Sequence, residues 1–284
     1  YSFHMPLFFA IYGMTFHSDK YKNKKIKDII VSRIQGLIIP FFLWAMIYCE
    51  FSFKNIFYII YASHESLKIN NNSSLWFLPT FFISTVLFEI INYAKFKVYI
   101  KKNKKISKTK EYIFDIMWSV FFCITSVIIR NRWKLGCPLG FNVALMGCAF
   151  MFFGKIVQSL DIYTLYNNNN RLKKLFIINI FGVLSLGYKL NRHVKYVLMA
   201  ENIYGNVIIF LLNAIIGIIL IEFISIFIEN ILKENIVRKG ILYIGRNTII
   251  IFVLQKLLMN FLQKLYNYDF PTVLVDVGIV IGII

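Results

Sequence analysis

The chain has 284 residues, of which 58% are hydrophobic and 18% aromatic, and a mean hydropathy of +0.64. Only 16% are charged, against roughly 25% in soluble domains, so there is too little polar surface to cover a soluble core. The formal charge of +18 does not indicate nucleic acid, because the basic residues stand in short runs between apolar segments, as membrane topology requires.

The chain opens inside an apolar segment, about residues 3–16, that carries His4 and Pro6. An ionisable group within a span is expensive and faces a cavity or a partner. Further apolar segments follow at about 34–50, 75–93, 113–129, 140–157, 173–188, 204–228, 241–263 and 271–284. Most reach the roughly 17–25 residues that cross the hydrocarbon core. They are expected to be helical, because lipid offers no partner to backbone N–H and C=O groups. The aromatic-rich stretch Phe51–Tyr61 is too short to cross and is expected at the interface or as a re-entrant segment. The expectation is an all-α, polytopic transmembrane helical bundle forming a single membrane-embedded domain over residues 1–284. It has nine spans here, and about ten with one further helix expected before Tyr1; the chain is expected to be cut within its first and last spans.

Charge alternates between loops. Lys20 to Arg33, Lys95 to Lys110, Lys155 to Lys174 and Lys233 to Lys239 carry most of the 32 basic residues. The positive-inside bias places these loops in the cytoplasm and Tyr1 toward the outer face. Four cysteines (Cys49, Cys123, Cys137 and Cys148) have no CxxC spacing; they read as free thiols and no metal site is expected. No repeat of 20–50 residues is apparent.

Several local motifs follow one another in order. They are Phe3-His4-Met5-Pro6-Leu7-Phe8-Phe9 with Gly13; Arg33 leading to Ile39-Pro40-Phe41; Leu75-Trp76-Phe77-Leu78-Pro79; Pro138 with Phe153-Gly154; Asn191 with Tyr204-Gly205-Asn206; and Ile244-Gly245-Arg246-Asn247-Thr248. In this order they resemble the membrane acyltransferase-3 superfamily, in particular its fucose 4-O-acetylase-like branch. The resemblance covers nearly the whole chain. Departures stand at Tyr12 in place of a serine, Gly36 in place of a second basic residue, Asn142 and Lys195 near acidic positions, and Gln255 in place of a histidine.

The resemblance implies an integral membrane O-acyltransferase of the bacterial cytoplasmic membrane. It would move an acetyl group from cytoplasmic acetyl-CoA, a co-substrate and not a bound cofactor, to a hydroxyl of a cell-surface or lipid-linked sugar. The family's principal catalytic histidine lies on the helix expected before Tyr1, which leaves His4 to orient or deprotonate the acceptor; alternatively His4 only packs. Arg33 and Arg246 are read as donor-binding residues, with topology or snorkelling as the alternatives. Trp76 and Asn247 are read as acceptor-site lining, with an interfacial anchor and an interhelical amide bond as the alternatives. His17 and His64 lie in loops and read as carrying no function. Two rival functions stand beside this one: a transporter or flippase, for which Glu222, Glu89 and Asp276 offer intramembrane carboxylates, and a catalytically silent member of the family.

Overall fold

A computed structural model describes residues 3–49, 52–101, 108–129, 134–160, 197–232, 235–247 and 254. Among these the chain is helical, with a single antiparallel bridge between Leu198 and Ile203. The helices are α1 (His4–Met14), α2 (Lys20–Asn23), α3 (Ile26–Arg33), α4 (Ile39–Tyr48), α5 (Phe53–Tyr61), α6 (His64–Ile69), α7 (Phe77–Lys101), α8 (Lys108–Ile128), α9 (Phe141–Ser159), α10 (Val207–Leu232) and α11 (Ile236–Arg246). The chain divides into two compact units, Tyr1–Phe223 and Ile224–Ile284.

Helix α9 is the centre of the first unit. Its small residues Ala144, Gly147, Ala149 and Gly154 let neighbouring helices approach closely, and its polar Asn142 and Lys155 are unsuited to lipid. Accordingly, residues on every side of it are buried, from Asn142 to Val157. Helices α1 and α7 run parallel to it and α8 runs antiparallel. Ser84 of α7 donates to Ala144 O at 2.8 Å, and Phe88 lies against Phe152. On α8, Ser126 donates to Asn142 O at 2.7 Å and Ser119 to Ala149 O at 3.0 Å. These hydroxyls tie helices together where lipid supplies no hydrophobic drive between them, each contributing roughly 0.6–2 kcal/mol.

Close approach of α1 to α9 rests on glycine. Gly147 lies under the Phe9 ring, Gly154 lies against the Ala10 backbone, and Gly13 lies against the Met151 backbone. A Cβ at 154 would land on the Ala10 carbonyl. Gly154→Leu is therefore expected to push the two helices apart and destabilise the bundle by about 1–3 kcal/mol or more. The melting temperature of the detergent-solubilised protein checks this, with Gly36→Leu, which meets open space, as the control.

Among the described residues five helical stretches are long and apolar enough to cross a membrane: Ile26–Tyr48, Ser73–Val98, Lys108–Ile128, Pro138–Ser159 and Val207–Ile226. They correspond to five of the nine expected spans, with longer helices than the apolar windows at 34–50, 75–93, 113–129 and 140–157. Among the charged residues these extensions take in, Lys95 of α7 and Glu111 of α8 are paired with one another, as described below. The span expected at 3–16 contains α1, which has 11 described residues. The spans at 173–188 and 271–284, and most of 241–263, lie outside the described residues. The start of the last of these differs from expectation. Ile241–Arg246 belongs to a separate helix, α11, which ends at Asn247. Its alternation of Arg238 and Lys239 with exposed Ile236, Val237, Ile241 and Leu242 makes it amphipathic rather than uniformly apolar.

Two local features follow from sequence chemistry. Pro40 cannot donate to a carbonyl four residues earlier, and the turn before it, Ile34–Ile38, is a π-helix in which Ile39 N–H reaches Ile34 O. That turn joins α3 to α4 into one span. Helix α5 exposes Phe53, Phe57 and Ile60 at i, i+4 and i+7. One apolar face at helical spacing on a nine-residue helix suits a segment lying at the interface, as expected for Phe51–Tyr61.

Candidate active site

Two groups of polar side chains occupy opposite halves of the first unit. One lies toward the finishing ends of α1, α7 and α9; the other lies at their starting ends.

The first is centred on Glu89, midway along α7 and fully buried. Tyr12 Oη donates to Glu89 Oε1, Lys20 Nζ lies 2.6 Å from the same oxygen, and Tyr21 Oη donates to Oε2 at 2.8 Å. Helix α2 is one turn long and is held in place by Tyr21, which packs against Tyr93 and Phe96. Arg33, the last residue of α3, sets its guanidinium 5.1 Å from the Tyr12 ring centroid. The Arg33 Nε is buried and makes no hydrogen bond. Burial depresses Lys20 below the ordinary lysine range, against the opposing hydrogen bond and charge of Glu89; burial and Glu89 both push Tyr21 up. Glu89 is paired with Lys20, whereas Arg33 lies over the Tyr12 ring with no carboxylate of its own among the ion pairs of the described residues, so the group as a whole carries a surplus positive charge that favours an anion.

Nearer the finishing end is a balanced cluster. Lys155 Nζ lies 3.0 Å from Asp115 Oδ1, 3.3 Å from Glu111 Oε1 and 3.0 Å from Asn92 Oδ1. Lys95 Nζ lies 3.0 Å from Glu111 Oε1 and 3.7 Å from Asp115 Oδ1. Two cations and two carboxylates neutralise one another, so this cluster holds α7, α8 and α9 together and offers no net charge to a ligand.

The second group gathers at the starting ends. Ala62, at φ 51°, ends α5 in a left-handed turn, and Ser63 caps α6. Ser66 N–H donates to Ser63 Oγ, and Ser63 N–H donates to Ser66 Oγ, each at 3.0 Å. This reciprocal cap fixes His64 at the first position of α6. The His64 ring stands edge-on to Trp76, with centroids 6.5 Å apart, and its Nδ1 lies 3.4 Å from Glu201 Oε1. Glu201 is held by its neighbour: Asn202 Nδ2 donates to Ser126 O at 3.0 Å, and Ser126 Oγ donates to Asn202 Oδ1 at 3.2 Å.

The expected site residues fall as follows. Arg33 joins the Glu89 group. His4 is half-buried at the first position of α1. Because α1 and α7 run parallel, with Phe8 and Phe9 beside Phe77, His4 lies toward the same end as Trp76. Trp76 is half-buried beside His64. Asn247 ends α11 and donates its Nδ2 to Tyr243 O at 2.9 Å, so that donor caps a helix. Arg246 is the last residue of α11; it and Asn247 belong to the second unit, and the Arg246 side chain lies outside the described part, as does Gln255.

Three features are not legible in the sequence. Lys20 reads as a loop lysine, yet it reaches a buried carboxylate. Lys95 and Lys155 read as loop charges, yet they are buried partners of Asp115. His64 reads as a loop residue, yet it opens a capped helix against Trp76. Glu89 and Asp115 carried a readable signal, since each is an acid within an apolar run; their partners did not.

A family model described as an acyltransferase domain matches residues 1–284. No curated protein and no solved structure matches the chain.

Proposed function

The chain belongs to the acyltransferase-3 family, and from that premise we propose that this membrane acyltransferase is an O-acetyltransferase of the bacterial cytoplasmic membrane. It takes acetyl from cytoplasmic acetyl-CoA and delivers it to a hydroxyl of a cell-surface or lipid-linked sugar. The observation that carries the donor half is the Glu89 group. Its excess positive charge and the unbonded Arg33 Nε suit a phosphate, which takes charge-assisted hydrogen bonds from a guanidinium. Within the first unit Lys20, Lys95 and Lys155 stand toward the same end of α7 and α9, and the positive-inside bias assigns the loops they border to the cytoplasm.

In the reaction the acceptor oxygen attacks the thioester carbonyl carbon. The hydroxyl proton passes to a base, the C–S bond breaks, and CoA leaves as the thiolate and is then protonated. A sugar hydroxyl needs that base within hydrogen-bond reach. His4 orients the acceptor from the start of α1, Trp76 lines the acceptor side, and Arg246 and Asn247 remain donor and acceptor contacts on the resemblance alone. Of the three carboxylates a transporter would use, Glu89 is tied to Lys20 and two tyrosines, and Asp276 lies outside the described residues. Tyr12, which stands where the family has a serine, bonds Glu89 and so takes a structural place of its own in this group.

The test is release of free CoA thiol from acetyl-CoA by the full-length protein in membranes. Arg33→Ala is expected to raise the acetyl-CoA KM about 10- to 100-fold, the equivalent of a charge-assisted hydrogen bond of roughly 1.5–3 kcal/mol. Lys22→Ala is expected to leave it unchanged, because Lys22 pairs with Asp19 in solvent, where such pairs contribute little. Equal donor KM values for the two variants would remove Arg33 from the donor site.

A further inference from the structure

We propose that His64, Glu201 and Trp76 form the subsite that holds the acceptor, a neutral pyranose ring with adjacent free hydroxyls. The proposal rests on the acyltransferase reading above and gives the acceptor side a definite location.

Three observations meet at this place. First, the side chains have complementary chemistry. An imidazole with an indole ring on one side and a carboxylate on another offers a flat apolar surface near two polar groups. A sugar ring presents the matching combination of C–H faces and O–H edges. Trp76 is only half-buried, so part of the indole is reachable.

Second, the polar atoms are desolvated without being fully used. His64 Nδ1 is buried and makes no hydrogen bond, although Glu201 Oε1 is 3.4 Å away. A buried polar atom left unbonded is costly and calls for a partner, which a hydroxyl of a bound ring would supply.

Third, the groups are held rigidly. The reciprocal cap of Ser63 and Ser66 fixes His64, and the Asn202–Ser126 pair fixes Glu201. Gly136, at φ +68°, brings its backbone against the Glu65 carboxylate, and Tyr61 Oη donates to Gly136 O at 2.7 Å. Such support keeps a binding geometry in place before the ligand arrives.

Burial pushes the His64 imidazole below its ordinary range, helped by Lys68 and opposed by Glu201 and Glu65. The ring is therefore neutral near pH 7 and has one nitrogen able to accept from a hydroxyl. Glu201 accepts from a second hydroxyl, and the pair distinguishes a ring bearing both from one bearing either alone.

The experiment uses full-length protein in nanodiscs, acetyl-CoA, and alkali-deacetylated envelope glycan from the source cells as acceptor, with thiol release as readout. His64→Ala and Trp76→Ala are expected to raise the acceptor KM about tenfold or more, with the acetyl-CoA KM within about twofold of wild type. His64→Gln, which keeps a side-chain acceptor, is expected to recover part of the loss. Glu201→Gln, nearly isosteric, is expected to weaken the acceptor in the same way; it serves as the second variant should His64→Ala melt at a lower temperature. An unchanged acceptor KM in Glu201→Gln and His64→Gln, together with a wild-type value in Trp76→Ala, would overturn the subsite. If the wild-type protein releases no thiol with any fraction of that glycan, the acyltransferase reading fails and the subsite falls with it.

Discussion

Glu89→Ala is expected to lower the stability of the detergent-solubilised protein by about 3–5 kcal/mol, the range for removing one partner of a buried ion pair. The carboxylate is fully buried and takes three contacts, from Lys20, Tyr12 and Tyr21. Its removal leaves the Lys20 cation and the Tyr12 hydroxyl without this acceptor, and leaves Tyr21 only the Glu89 backbone O at 3.2 Å. Lys20 would then withdraw toward solvent, and α2 would lose one of its attachments to α7. Tyr12→Phe removes one hydrogen bond and is expected to lower stability by about 1 kcal/mol. Thermal melting of the three proteins in one detergent gives the comparison. If Glu89→Ala and Tyr12→Phe melt together, the ion pair contributes nothing beyond the tyrosine bond. Activity should follow the same order. Arg33 stacks on Tyr12, so a Tyr12 ring released from Glu89 no longer holds the guanidinium for the donor.

Lys155→Met is expected to be similarly disruptive, again about 3–5 kcal/mol. Lys155 is the closest cation to Asp115, at 3.0 Å against 3.7 Å for Lys95. Methionine fills a similar volume but leaves the buried Asp115 with a single distant cation and Asn92 Oδ1 without its donor. The double variant Lys155→Met with Asp115→Leu removes both charges and is expected to recover most of the loss, because replacing a whole buried pair by apolar residues is often neutral. Melting temperatures of the wild type, both single variants and the double variant form a complete cycle. A double variant as unstable as the sum of the two single ones would mean that the side chains act independently, and the cluster would then be a set of unrelated contacts.

Composition alone determined the class of this protein. With apolar runs of spanning length and few charges, the backbone has no stable option in lipid but helices. The five described helices long and apolar enough to cross a membrane all lie on runs marked in the sequence, and the short apolar face of α5 suits a segment at the interface. The ordered motifs from His4 to Thr248 carried the family, because they are local and survive as strings of residues. Which side chains meet was decided by the tertiary structure. Tyr12 and Glu89 are 77 positions apart, and His64 and Glu201 are further apart still; no periodicity within one helix reports a contact of that range. Lys95 and Lys155 show the physical reason most directly. In the sequence each is a lysine at the edge of an apolar run and reads as a cytoplasmic signal. In the fold each lies within reach of Asp115 on a third helix, and that carboxylate is what allows α7 and α9 to carry a cation inside the bundle. A charge at the end of a helix has an apolar or an aqueous fate according to its partner. The partner is chosen by packing, here by the glycines at 13, 147 and 154 that let α1 close on α9 and by the serines that draw α7 and α8 around it.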